Sequence, residues 1–213
     1  MTFMEYRPFG RTGLYISPLA LGTDNLANPT PESESLAILD AAVAGGINLI
    51  DTSNSYAKGD AERIIGKWLK QRGKRDDVLI ATKVFYPTSE NINDRGLSRR
   101  HIMRACEDSL ARLGTDYLDL YQTHRPDMSV GLDELLRAMD DLVTQGKVRM
   151  IGSTTAPAWW LTESLFTSQM GHWVKFASEQ SPYNLLDRRI ENELIPMCQR
   201  HNLAVLVWSP IGV

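Results

Sequence analysis

The sequence predicts an α/β protein, a (β/α)8 TIM barrel whose chain ends after the seventh strand. Three observations predict it. Six strand-like segments each run into a residue placed to face a rim: Asn48 to Ile50 into Asp51, Val78 to Thr82 into Lys83, and Leu118 to Thr123 into His124. Val148 to Gly152 leads to Ser153, Val174 to Glu179 to Gln180, and Leu203 to Val207 to Trp208. Segments of helix length separate them. A βα repeat closes most readily into a parallel barrel, in which the C-terminal ends of all strands open on one face. Asp51, Lys83, His124 and the nearby Tyr56, distant in sequence, then converge as a proton-transfer constellation.

The elements follow in order. Tyr6 to Tyr15 carries Gly10 and Gly13 between short apolar stretches, the pattern of a hairpin capping the closed end. Ile16 to Gly22 reads as the first inner strand. Pro31 to Ala44 predicts the first helix. Proline suits a first turn, and Leu36, Ile38, Leu39, Ala42 and Val43 form an apolar stripe that Gly45 and Gly46 end. Asp60 to Gln71 is the second helix; Ser98 to Leu113 is the third, with Ser98 as N-cap and Gly114 as the stop. Leu132 to Gln145 is the fourth, and Pro157 to Met170 and Asp187 to His201 the fifth and sixth.

The count is seven strands alternating with six helices, read as a single, incomplete barrel domain over residues 1–213. There is no linker, low-complexity tract or repeat beyond the βα rhythm. An eight-stranded barrel typically takes about 250 residues. One strand and two helices are therefore expected to be missing, with two sheet edges left unpaired.

Composition narrows the partners. The hydrophobic fraction of 43% and charged fraction of 23% suit a water-exposed globular enzyme. A net charge of -3 gives no reason to expect nucleic acid or an anionic membrane. The N-terminus lacks the apolar run of a secretory signal, and no segment is long and apolar enough to span a bilayer. Cys106 and Cys198 sit in helix-like segments without metal or redox spacing, so no metal is expected. They read as reduced thiols, which suits a cytoplasmic location. A homo-oligomer is compatible with the sequence.

Asp51 ends a strand, and Tyr56 lies on the loop after it. Taken alone, they also fit a loop acid and a surface phenol. Lys83 closes an apolar strand, is expected to be partly buried, and then needs a counter-ion, for which Asp51 is placed one strand away. That pair alone also fits a structural ion pair. His124 ends the strand next to that of Lys83, whereas His101, His172 and His201 lie on or beside helices. Three adjacent strands presenting Asp, Lys and His on one rim give Tyr56 a role. A phenol has a pKa near 10. A nearby ammonium lowers it, and such a tyrosine can give a proton to a carbonyl oxygen and take it back. None of these groups can supply a hydride, so a redox reaction needs a cofactor.

These residues resemble the aldo-keto reductase family. The likeness runs from Arg11-Thr12-Gly13-Leu14 through Asp51-Thr52-Ser53-Asn54-Ser55-Tyr56 and Thr82-Lys83 to His124-Arg125-Pro126-Asp127. It continues through Gln180-Ser181-Pro182-Tyr183-Asn184 to Trp208-Ser209-Pro210. It implies a (β/α)8 barrel that reduces aldehydes, ketones or sugar carbonyls with hydride from NADPH. It implies a catalytic tetrad of Asp51, Tyr56, Lys83 and His124. It also implies cofactor contacts from Gly22, Thr23, Asp51, Ser153, Thr154, Gln180, Tyr183, Trp208 and Ser209. Ser153 and Gln180 would hold the nicotinamide carboxamide, and Tyr183 would stack on its ring. Thr154 stands where the family usually has Asn and lacks the amide's bidentate reach. The basic segment that would read a 2′-phosphate is expected beyond Val213. The substrate pocket is expected to use Tyr56, His124, Arg125, Phe85 and Tyr86, while Trp159 and Trp160 are read as packing.

Two other readings remain open at this point. Lys83 could be the Schiff-base lysine of a barrel aldolase, which requires a largely neutral amine. The fold could also serve as a non-catalytic, cofactor-sensing regulatory subunit.

Overall fold

A computed structural model describes residues 4–212. Met1 to Phe3 and Val213, the ends of the domain read from the sequence, lie outside the described residues. The hairpin pairs β1 (Arg7–Pro8) with β2 (Tyr15–Ile16) antiparallel. It closes the N-terminal end of the barrel, and Phe9 from its loop is buried among interior residues. Gly10 makes this approach possible: its φ is +55°, and a Cβ there would lie 2.8 Å from the Asn202 carbonyl oxygen.

The barrel strands follow: β3 (Leu21–Gly22), β4 (Leu49–Asp51), β5 (Leu79–Val84), β6 (Leu118–Thr123), β7 (Val148–Thr154), β8 (Phe176–Pro182) and β9 (Ala204–Trp208). All are parallel neighbours in that order. The helices are α1 (Glu32–Ala44), α2 (Asp60–Arg72), α3 (Arg99–Leu113), α4 (Leu132–Thr144), α5 (Ala158–Gly171) and α6 (Leu194–His201). Among the described residues, no helix is long and apolar enough to cross a membrane.

Most boundaries fall within a residue or two of those predicted; β8 runs three residues past Glu179, and two others differ by more. The first inner strand is only Leu21–Gly22, because Ile16 pairs in the hairpin and Pro18 follows it. Ser17 instead donates its backbone N–H to the Asn48 side-chain oxygen at 2.8 Å. The sixth helix starts at Leu194, not Asp187. Asp187 receives bonds from Arg189, and a 3-10 turn, Arg189–Glu191, precedes the helix. Ser98 caps α3 as predicted, its side chain accepting from the His101 N–H.

Alternation along each strand separates two cores. Leu49, Ala81, Leu120 and Leu206 pack inside the barrel with Phe9. Ile50, Ile80, Tyr121 and Ile151 face outward into the larger core beneath the helices, which includes the buried Trp160. Trp159 is exposed. Inward parity carries Asp51, Lys83, Gln122 and His124 to the open rim, two residues at a time.

Candidate active site

Asp51, at the end of β4, is the hub. One carboxylate oxygen accepts from Lys83 Nζ at 2.5 Å. The other accepts from Gln122 Nε2 at 2.9 Å and Gln180 Nε2 at 3.1 Å. Four strands thus meet on one acid, through charge-assisted bonds that are stronger than neutral ones.

Lys83 is fully buried. An ammonium has three donors, and here each has an acceptor: Asp51, the Thr52 carbonyl at 3.0 Å and the Tyr56 hydroxyl at 3.3 Å. Burial pulls its pKa down, but the Asp51 charge, with Tyr56, outweighs this and holds it above the ordinary value. Lys83 is therefore an ammonium at neutral pH, the state opposite to the one a Schiff-base nucleophile requires.

Tyr56 opens a 3-10 turn, Tyr56–Gly59, in which Ala57 and Lys58 have φ of 46° and 55°. Such backbone costs on the order of 1–3 kcal/mol per residue and persists only where its surroundings enforce it. Burial raises the Tyr56 pKa. Lys83 opposes this by charge and hydrogen bond, while Asp51 and Asp24 add to the rise. The sequence argument looked for a depressed phenol. Desolvation wins instead, so Tyr56 is a protonated acid at neutral pH.

His124 follows β6, and burial, with the charges of Lys83 and Arg125, pushes its pKa down to about 3. It is a neutral imidazole at physiological pH. Its Nδ1 lies 3.1 Å from Ser53 Oγ, and that hydroxyl accepts from the Ser55 N–H at 3.3 Å. Its ring meets Tyr56 edge-on at 5.8 Å between centroids and Tyr86 at 4.8 Å.

A cavity of about 710 Å³ runs from the hairpin along β3 and β9 to this rim. Gly22, Thr23, Asp51, Tyr56, His124, Arg125, Thr154, Gln180, Trp208 and Ser209 all line it. Five expected residues do not: Lys83 is buried behind the wall, and four others face elsewhere. Ser153 points out of the barrel, where its hydroxyl donates to Glu179. Parity explains this: Ile151 and Ser153 share the outer face, while Gly152 and Thr154 share the inner one. Gly152 confirms the orientation, since a Cβ there would lie 2.6 Å from Ser178 Oγ and 3.1 Å from Gln122 Cγ. Tyr183 is held away by its hydroxyl, which donates to Glu191 at 2.5 Å. Phe85 packs against the outer core, and Tyr86 supports His124 from beside it.

Sequence reasoning missed Gln122, Ser53, Asp24 and Thr155. Gln122 was detectable as a polar residue two positions before His124 on the same strand face. Thr155 is strained: a β-branched residue at φ 55°, it accepts from Arg125 through Oγ1 at 3.1 Å.

Thr154 Oγ1 is buried without a partner among the described residues, and a Cβ added to Gly22 would meet nothing within 4 Å. An unpaired hydroxyl and open space beside Gln180 suit the amide of a nicotinamide cofactor. Among the described residues, no cluster is arranged to hold a metal ion. A second cavity, of about 890 Å³, opens at the opposite end around Leu79, Met150 and Trp173, far from these groups.

Glu179, buried behind β8, has its pKa raised by burial to about 7, against an ordinary 4.5. Bonds from Ser153, Ser181 and the Ala156 N–H offset only part of the burial effect. A folded-state value above the unfolded one favours the fold while the group is protonated, and that contribution disappears as pH rises through about 7. The full effect is on the order of 3 kcal/mol. Glu179→Gln is therefore expected to gain melting temperature relative to the native protein between pH 5 and pH 8, read as the difference between their melting curves. A constant difference would refute the assignment.

A parallel barrel with a buried Lys–Asp pair and a tyrosine at its open rim defines a class of barrel oxidoreductases. The family model for the aldo/keto reductase family matches residues 18–213. The chain belongs to that family. It is 41% identical to the "Uncharacterized oxidoreductase YrpG" of Bacillus subtilis, over 98% of this chain and 67% of that protein. It is 34% identical to the versiconal hemiacetal acetate reductase of Aspergillus parasiticus, over 98% and 68%. It is 35% identical to a "Probable voltage-gated potassium channel subunit beta" of Oryza sativa, over 98% and 64%. The chain thus spans about two thirds of the length of these relatives.

Proposed function

We propose that this protein reduces an aldehyde, ketone or sugar carbonyl to the alcohol, with NADPH as the cofactor. The observation that carries the reading is the Lys83 ammonium, bound at once to Asp51 and to the Tyr56 hydroxyl. A bound nicotinamide cofactor supplies the hydride that no side chain here can give. Thr154 and Gln180 would hold its amide end, with Thr23, Trp208 and Ser209 along the same wall. Tyr56 donates its proton to the carbonyl oxygen, and Lys83 steadies the phenolate left behind. Asp51, itself held by Gln122 and Gln180, keeps Lys83 charged and fixed. Neutral His124 can donate one N–H without competing as a cation. Family membership supports NADPH over NADH, and free cysteines at 106 and 198 are compatible with a reducing, cytoplasmic setting.

Titration of the protein with NADPH and NADH, followed by nicotinamide fluorescence, is expected to show saturable binding with NADPH the tighter. Aldehyde-dependent oxidation of the bound cofactor is expected to follow. Binding without turnover on any carbonyl would favour a cofactor-sensing regulatory role, as the channel-subunit relative suggests. Absence of binding to either cofactor would overturn both readings.

A further inference from the structure

We propose that Arg125 selects carbonyl substrates that also carry a carboxylate; this rests on the reductase reading above. Among the residues lining the cavity, only Arg7 and Arg125 bear a permanent positive charge. Arg7 belongs to the hairpin at the closed end. Lys83 is wholly buried behind the cavity wall and already committed to Asp51. Arg125 therefore supplies the cation at the reacting rim, directly after His124.

The guanidinium is held in place, and by one nitrogen. Nη1 donates to the His124 carbonyl at 2.8 Å and to Thr155 Oγ1 at 3.1 Å. Its Cζ lies over the Tyr86 ring, 5.9 Å from the centroid. No carboxylate of the described residues lies within ion-pairing distance, 4.0 Å, of it. Arginine has five donors, so those of Nη2 and Nε are left without an acceptor among the described residues. Thr155 reaches Arg125 from a left-handed backbone that a β-branched residue rarely adopts, fixed by its N–H on the Gln180 carbonyl at 2.8 Å. Strain kept at Thr155, behind the cavity-lining Arg125, to aim a cation points to a use for that cation. A half-buried guanidinium with a free fork is matched by a carboxylate, which it can bind through two parallel bonds. A neutral carbonyl compound would leave those donors unpaired, which is the basis of strong discrimination.

The test compares benzaldehyde with 4-carboxybenzaldehyde in the native protein, Arg125→Leu and Arg125→Gln. Gln keeps an amide donor and much of the polar character but loses the charge and the two-bond fork. The quantity read is the ratio of kcat/KM for the carboxylated over the neutral aldehyde. It is expected to exceed tenfold in the native protein and to fall at least tenfold in both variants, mainly through KM of the carboxylated substrate. An unchanged ratio, with both substrates losing equally, would make Arg125 a tie between strand ends and overturn the proposal. So would a loss of cofactor affinity with the ratio intact, which would assign the guanidinium to cofactor phosphate. Calorimetric binding of 4-carboxybenzyl alcohol against benzyl alcohol, with oxidised cofactor present, reads the same preference without turnover. If no aldehyde is reduced, the reductase reading fails, while Arg125 stands or falls on that binding ratio. Should one variant fail to fold, the other carries the comparison.

Discussion

Replacing Tyr56 with phenylalanine is expected to lower carbonyl reduction by about two to four powers of ten, the range a positioned general acid supplies. Only the hydroxyl is lost. Lys83 keeps Asp51 and the Thr52 carbonyl as acceptors, so stability should fall by only about 1 kcal/mol. Cofactor affinity, read by fluorescence titration, should change little, because the residues proposed to hold the cofactor lie elsewhere on the wall. The reverse reaction adds a second readout. Alcohol oxidation needs the phenolate, and burial raises the Tyr56 pKa, so oxidation should quicken as the medium becomes alkaline. The Phe variant should lack that rising limb. Reduction at a near-native rate in Tyr56→Phe would remove Tyr56 from the acid role.

Lys83→Met is expected to damage both fold and chemistry, in separable ways. Removing one member of a buried ion pair strands the other, at a cost of about 3–5 kcal/mol. Asp51 would keep only Gln122 and Gln180 as donors. Chemistry should fall by about two powers of ten, near the lower end of the general-acid range, since Tyr56 loses the charge that lowers its pKa. The alkaline limb of oxidation should then move to still higher pH. The double variant Lys83→Met, Asp51→Asn removes the stranded carboxylate. It should recover much of the melting temperature and little of the rate. Rate and stability recovering together would mean that the pair serves structure alone.

Much of this site was legible because strand parity and strand ends are sequence properties. Asp51, Lys83 and His124 could be placed on one rim once their strands were assigned neighbours. Parity also contained the answer for β7, where Met150, Gly152 and Thr154 face inward and Ser153 does not. The motif resemblance drew Ser153 inward against its own alternation. Tyr183 was not legible, because the bond that removes it comes from Glu191 in a turn with no strong local signature. Nor was the direction of the Tyr56 pKa. The sequence shows which charges are near, but the extent of desolvation is a property of the folded cavity. The convergence of Gln122 and Gln180 on a single oxygen depends on barrel curvature, which no local pattern encodes.

The close quarters around Gly152 link mechanical tolerance to chemistry. Gln122 Cγ lies where it would have to yield by a few tenths of an ångström to any side chain at 152, and Gln122 Nε2 holds the Asp51 oxygen. Asp51 in turn anchors the ammonium beside the phenol. A displacement at the barrel wall therefore has a path to the proton donor through the side chains of Gln122, Asp51 and Lys83. The interior near β7 works as a gauge block: its thickness sets the alignment of the reacting groups, so drift in that sequence would be felt as lost rate before it was felt as lost fold.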